Sequence, residues 1–278
     1  MNRTDRDGNL FLAEPFQSLW SGMDPFAAVE QLQGDVFREL EGRRTLRTTI
    51  AGQHYFVKIH RGVGWKEIFK NLLSFRLPVL GAGNEWRAIK RLSELGVDSM
   101  RAVAYGTRGR NPARRHSFII TRSLEPAISL EDFCRDWPTS PPSLSLKRAL
   151  IIRVANMTRR MHECGVNHRD LYLCHFLLHL HPPPEASAFR LAIIDLHRTQ
   201  IRKRTPRRWR DKDLAGLYFS ALNIGLTKRD FLRFLRAYFH RPLRITLRKE
   251  TRLLHYLDKE AERLQARFLR KYARDTQT

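Results

Sequence analysis

Four residues, His168-Arg169-Asp170-Leu171, constrain this 278-residue chain more than any other feature. A His-Arg-Asp loop is chemically meaningful only where other charged groups complete it, and here they follow one order. Lys58 lies in the strand-like run Tyr55-Phe56-Val57-Lys58-Ile59, and Glu85 on a helix-patterned segment. The loop comes next, then a hairpin, then Asp195 at the end of the apolar run Leu191-Ala192-Ile193-Ile194. A fold serving this order needs a sheet that bears the lysine, a helix that brings a carboxylate to it, and a second body that carries the loop.

Each residue has a bland reading beside the chemical one. Glu85 stands near a helix start, where a carboxylate complements the dipole. On the inward face shared with Ile89 and Leu92 it needs a cation instead, because an unpaired buried charge is costly, and Lys58 is the candidate. Asp195 is at a strand end, where aspartates often open turns, yet such a carboxylate is also placed to hold magnesium. Taken together, the order reads as a kinase-like phosphotransferase. His168, Arg169 and Asp170 form the catalytic set, with Asp170 orienting the attacking hydroxyl. Lys58 and Glu85 serve the nucleotide phosphates. Asp195 and His175 are the metal-side candidates, His175 standing where protein kinases carry Asn. A hydrogen bond from His175 to Asp170 or Asp195 is as good a reading, since magnesium prefers oxygen. The cofactors expected are ATP and Mg2+. The glycine-rich turn that usually covers the phosphates is reduced to Gly42 in Glu41-Gly42-Arg43-Arg44-Thr45, where arginine charge substitutes in part for backbone cradling or Gly42 is a plain turn.

Composition narrows the partners. Lys and Arg total 51 against 28 for Asp and Glu, a formal charge of +23 that favours polyanions such as nucleic acid, anionic lipid or an acidic glycan. The three cysteines, Cys134, Cys164 and Cys174, suit a reduced setting better than a disulfide framework. The first sixteen residues carry acids and no long apolar run, so no secretory signal is expected, and no stretch has bilayer-spanning length. His162, Cys164, His168, Cys174, His175 and His179 crowd one stretch, but their spacing matches no standard zinc site.

Period-two patterning predicts strands over 45–50 and 53–60 around an Ala51-Gly52 turn, with Lys58 facing away from Tyr55, Val57 and Ile59. A helix is expected over 84–95, closed by Gly96, and a strand over 116–121. Residues 137–145 read as loop, and a helix capped by Ser145 runs to 163. Strands are expected over 176–180 and 191–196, then helices over 211–223, from a Thr227/Asp230 capping box to 239, and over 245–272. Asp213, near a helix start, is expected either to cap that helix or to brace the catalytic loop. Residues 64–77 show an apolar stripe with lysines elsewhere, read as core packing in preference to membrane contact. The fold expected is α+β and two-lobed: a small β-rich N-lobe over 1–124 and a larger, mainly helical C-lobe over 125–278, with the nucleotide between them.

Several longer segments resemble the lipopolysaccharide core heptose(I) kinases, bacterial enzymes with a protein-kinase-like fold. They are RELEGRRTLRT (38–48), YFVKIHRGVGWKEI (55–68), GVNHRDLYLCHFLLH (165–179), IIDLHR (193–198) and RWRDKDLAGLYFSALNIGLTKRDFLRFLRAYF (208–239). That family has a histidine where this chain has His175. The resemblance implies ATP-dependent phosphorylation of heptose I of the inner core, with Lys58, Glu85, Asp170 and Asp195 in their kinase roles. It implies a cytoplasmic protein, peripheral to the inner face of the inner membrane, whose partner is the lipid-linked anionic inner-core glycan. The net charge suits that membrane surface. The basic run Arg198 to Arg210 is then either an acceptor-binding edge or a solvated loop. A protein partner is left unknown. The alternatives are an aminoglycoside-type small-molecule phosphotransferase, a protein tyrosine kinase, or a non-catalytic nucleic-acid-binding protein. The last is disfavoured because it leaves Lys58, Glu85, Asp170 and Asp195 without a purpose.

Overall fold

The computed structural model describes residues 3–4, 9–40, 42–73 and 81–275. The chain divides into two compact units. The first comprises Met1–Arg91, Ser99–Leu124 and Asp195–Arg198; the second comprises Leu92–Asp98, Glu125–Ile194 and Thr199–Thr278. The fold is α+β, with a sheet-rich N-terminal region and a helical C-terminal region.

In the first unit seven strands make one antiparallel sheet: β1 (Arg3–Thr4), β2 (Leu10–Leu12), β3 (Asp35–Leu40), β4 (Arg43–Ile50), β5 (Gln53–His60), β6 (Arg101–Arg108) and β7 (His116–Arg122), in the order β1-β2-β6-β7-β5-β4-β3. The β4–β5 turn is the expected Ala51-Gly52 pair, both residues at positive φ (50° and 73°), which suits the twist of a tight hairpin. One face of the sheet packs with the short helices α1 (Phe16–Leu19) and α2 (Pro25–Glu30) into a core that includes Phe16, Trp20, Leu46, Val57, Ile59 and Phe118. Two strands escape the periodicity. In β6, Val103 to Gly106 are buried in succession, which erases alternation, whereas the edge strand β3 is exposed throughout and lacks it for the opposite reason.

Helix α3 (Gly64–Leu73) corrects one expectation. Ile68 is buried, but Trp65, Phe69 and Leu73 are 50%, 57% and 81% exposed, so these three are not core residues. The rest of that stripe, residues 74–77, lies outside the described residues. Helix α4 (Gly83–Glu94) forms where expected, and Gly96 closes it at φ 60°.

The second unit begins with β8 (Ala127–Ser129) and α5 (Leu130–Phe133), and its long α6 (Leu144–Glu163) buries Leu150, Val154, Met157 and Met161 as the pattern predicted. Its cap is Ser143, not Ser145: the Ser143 hydroxyl accepts from the Leu146 amide at 3.3 Å. The strands are β9 (Val166–Asn167), β10 (Phe176–His179), β11 (Leu191–Ile193) and β12 (Gln200–Ile201). β8, β10 and β11 make one small sheet, and β9 pairs with β12. β11 is shorter than the expected 191–196 because Asp195 takes a left-handed φ of 60°, which no strand accommodates.

Helices α7 (Arg207–Ser220), α8 (Lys228–Phe239), α9 (Leu243–Lys249) and α10 (Thr251–Asp275) complete this unit around Ala155, Leu214, Tyr238, Leu253 and Leu257. The Thr227/Asp230 capping box opens α8 as read from sequence. The single helix expected over 245–272 is broken at Glu250. Its buried carboxylate accepts from Arg241 at 2.5 Å and Arg210 at 3.3 Å, and these fixed partners outweigh helix continuity. Among the described residues no helix is long and apolar enough to cross a membrane.

Candidate active site

In the first unit the site begins with the β4–β5 ladder. Thr45 is opposite Lys58 and Arg43 opposite His60. Opposed residues share a face, so these four project away from the buried Leu46, Val57 and Ile59. Lys58 thus leaves the core, as alternation required. Glu85, in the first turn of α4 and 2% exposed, meets it: Lys58 Nζ donates to Glu85 Oε1 at 2.7 Å. Dipole complementarity alone does not account for a carboxylate so buried and so closely paired.

Asp195 follows β11 in a left-handed turn, and His197 Nδ1–H donates to its Oδ1 at 2.5 Å. Asn84 Nδ2, at the start of α4, in turn donates to the His197 carbonyl at 3.2 Å. The helix that brings in Glu85 thereby also anchors the turn that carries Asp195. Its spacing two residues after an aspartate is the signal that sequence offers for His197. Arg43 feels both Glu85 and Asp195, and burial together with Arg38 nevertheless draws its guanidinium below the usual range. His60 is pushed down to about 3, chiefly by burial and then by Arg43 and Lys58, so it stays neutral. Gly42 lies in the β3–β4 turn, where a Cβ would stand 2.4 Å from the Gly62 carbonyl oxygen, a close approach that accounts for glycine there. Glu41 lies outside the described residues.

In the second unit the His168–Asp170 loop is held from several directions. Asp213 of α7, 1% exposed, accepts the His168 amide at 2.6 Å on Oδ2 and the Arg169 amide at 2.8 Å on Oδ1. This realises the loop-bracing reading of Asp213 and excludes simple capping, since it lies well inside α7. Asp213 is itself met by His162 Nε2 at 3.2 Å, and His162 Nδ1 by the Tyr238 hydroxyl at 2.7 Å. Neither of these outer partners was singled out for the loop from sequence. The brace holds Arg169 at φ 76°, a conformation a β-carbon disfavours.

The tautomer of His168 follows from its neighbours. Nε2–H donates to the Ile194 carbonyl at 2.9 Å and Nδ1 accepts the Asp170 amide at 3.3 Å, so the ring carries one proton. Burial lowers its pKa, which agrees with a neutral imidazole. His175 Nδ1–H donates to the Asp170 carbonyl at 2.7 Å, and its ring stacks on His168 with centroids 5.6 Å apart. The Asp170 backbone is thus gripped at both its amide and its carbonyl. Further along, Trp209 on α7 has Arg169, Arg202, Arg208 and Lys212 within 5.1–5.8 Å of its ring, which brings part of the Arg198–Arg210 run beside the loop.

The family model "Lipopolysaccharide kinase (Kdo/WaaP) family" matches residues 27–238. The chain is similar to the lipopolysaccharide core heptose(I) kinase WaaP of Pseudomonas aeruginosa, 63% identical over 258 residues that cover 93% of this chain and 96% of that protein. The protein of the same name from Escherichia coli is 57% identical over 260 residues, covering 94% and 98%. A solved structure of WaaP in complex with acyl carrier protein matches with a TM-score of 0.82 and 58% identity, covering 92% of this chain and 98% of that one.

Proposed function

This chain belongs to the lipopolysaccharide kinase (Kdo/WaaP) family, and we propose that it transfers the γ-phosphate of ATP to heptose I of the lipopolysaccharide inner core. The observation that carries this reading is identity of 56–63% along nearly the whole length of relatives curated as heptose(I) kinases. The ion pair and the braced loop support it as machinery a phosphoryl transfer needs.

Little covalent chemistry falls to the protein in such a transfer; positioning and charge do most of it. Lys58, aligned by Glu85, holds phosphate oxygens. Asp170, its backbone clamped by His168 and His175, aligns the sugar hydroxyl and takes its proton late, as suits a carboxylate facing an alcohol. We read His175 as positioning Asp170, to whose carbonyl its Nδ1–H donates, rather than as a metal ligand, because magnesium prefers oxygen donors to an imidazole nitrogen. Asp195 offers a carboxylate at a strand end, and oxygen donors suit Mg2+, which when bound to the nucleotide neutralises charge on its phosphates. Asp195 would hold it, with His197 fixing the carboxylate's orientation. Lys58, Glu85 and Asp195 lie in the first unit and Asp170 lies in the second.

The cations around Trp209 form an acceptor-binding edge. Burial and then Arg208 draw the Lys212 pKa down and Glu260 offsets them only in part, so further anionic neighbours would be favourable there. An inner-core glycan bearing acidic sugars would supply them. The exposed Trp65, Phe69 and Leu73 of α3, beside Lys66 and Lys70, support peripheral contact with the anionic cytoplasmic face of the inner membrane. Acyl carrier protein becomes the protein partner to test, since WaaP has been solved with it.

The test is transfer of labelled γ-phosphate from Mg·ATP to unphosphorylated inner-core lipopolysaccharide by wild type and by Asp170→Ala. Wild type labels the glycan, and the variant falls by at least about a hundredfold. Labelling of a soluble aminoglycoside instead of the glycan would move the chain to another acceptor class.

A further inference from the structure

One face of the β4–β5 ladder carries more polar capacity than the protein itself uses. Lys58 is paired with Glu85 at 2.7 Å, and His60 is buried. Arg43 and Thr45 stand on the same face, Thr45 directly opposite Lys58 and Arg43 one pair further on. Arg43 Nε and Thr45 Oγ1 are both buried, and neither has a hydrogen-bond partner among the described residues. Buried donors and hydroxyls are nearly always satisfied in a native protein, and two orphans on one face beside an ordered cation point to a missing acceptor. Lys58 and Arg43 place two cations on this face, with Glu85 and Asp195 as the anions near them, while His60 adds no charge. An acceptor with several oxygens would meet both orphans at once.

We propose that Arg43 and Thr45 join Lys58 in binding the polyphosphate of the nucleotide, Arg43 supplying by side-chain charge what a glycine-rich turn supplies by backbone amides. This rests on the kinase reading and deepens it. The local backbone is consistent with the assignment. The single glycine of the preceding turn, Gly42, is pressed against Gly62, and its carbonyl accepts the Arg61 amide at 3.0 Å, so the turn presents Arg43 from a fixed base. A guanidinium can fork onto two phosphate oxygens, and a threonine hydroxyl can donate to a third. Glu85 and Asp195 are near enough to influence Arg43, yet neither hydrogen-bonds its Nε.

Binding of Mg·ATP and of adenosine to wild type, Arg43→Gln, Thr45→Val and Lys58→Met, with thermal melting of each, separates this from a purely structural role. Arg43→Gln is expected to weaken ATP by about tenfold or more and Thr45→Val by roughly threefold, with adenosine affinity unchanged. Arg43→Lys, which keeps the charge and loses the fork, should fall between wild type and Arg43→Gln. It also replaces Arg43→Gln should that variant fail to fold, a loss of ATP affinity with adenosine retained again supporting the proposal. If Lys58→Met loses ATP while Arg43→Gln and Arg43→Lys bind it as wild type does, the proposal falls and the kinase reading stands. Equal loss of ATP and adenosine in the Arg43 variants would also overturn it. Wild type that binds no ATP would overturn the kinase reading itself.

Discussion

His60 lies two residues after Lys58 on the same strand and is 3% exposed. Burial and its cationic neighbours hold it at about 3, whereas an unfolded histidine titrates near 6.5. Below pH 6.5 the unfolded chain therefore takes up a proton that the folded one refuses, and stability falls as pH drops from about 6.5 towards about 3. Above that window the residue is neutral in both states and contributes no slope. Between pH 7 and pH 5 the loss through His60 is about 2 kcal/mol. Urea unfolding of wild type and His60→Asn at the two pH values checks this: the wild type should lose about that much more than the variant, and equal losses would dismiss it. The same scale shows the limit of reading residues one at a time. Glu85 and Lys58 are 27 positions apart, and either alone has an ordinary explanation. Their pairing was inferable because burial penalises a lone charge, but the roles of His197 and Asn84 depended on a turn that sequence does not announce.

At the scale of elements, the His168–Asp170 loop is positioned by a helix it does not touch in sequence. Asp213 lies 45 positions beyond His168, and its carboxylate takes both loop amides. Asp213→Asn keeps a carbonyl for one amide and sets an NH2 against the other. It should lower kcat by on the order of a hundredfold and cost roughly 2 kcal/mol of stability, because a buried donor loses its acceptor. Thr227→Ala, which removes the cap of α8, should cost about 1 kcal/mol with kcat unchanged. Melting curves beside phosphate-transfer rates compare the two, and a parallel loss in both variants would argue against a positioning role for Asp213. Elements with clean local signals were legible: the β4–β5 hairpin, the α6 apolar stripe and the α8 capping box. Those set by distant partners were not. The long C-terminal helix is interrupted where Glu250 is captured by Arg210 and Arg241, and β6 pairs in mid-sheet without an alternating pattern.

Across the whole molecule the dominant quantity is a net charge of +23. A potential of that sign attracts an anionic acceptor over a distance that shortens with salt, from roughly 14 Å at 50 mM to about 7 Å at 200 mM. The KM for lipopolysaccharide should therefore rise several-fold over that range, with kcat little altered. Initial rates across a salt series measure it, and a flat KM would mean that short-range contacts alone select the acceptor. The sequence by itself determined an order of residue types, a strand lysine, a helix glutamate, a loop aspartate and a strand-end aspartate, together with the net charge. These follow from residue type and local periodicity, which need no distant contact. Only the tertiary structure decided which side chains complete those groups. Asp213 beneath the loop, His197 on Asp195, and Arg43 Nε and Thr45 Oγ1 beside Lys58, unpartnered among the described residues, are products of strand register and helix packing, which no local pattern encodes.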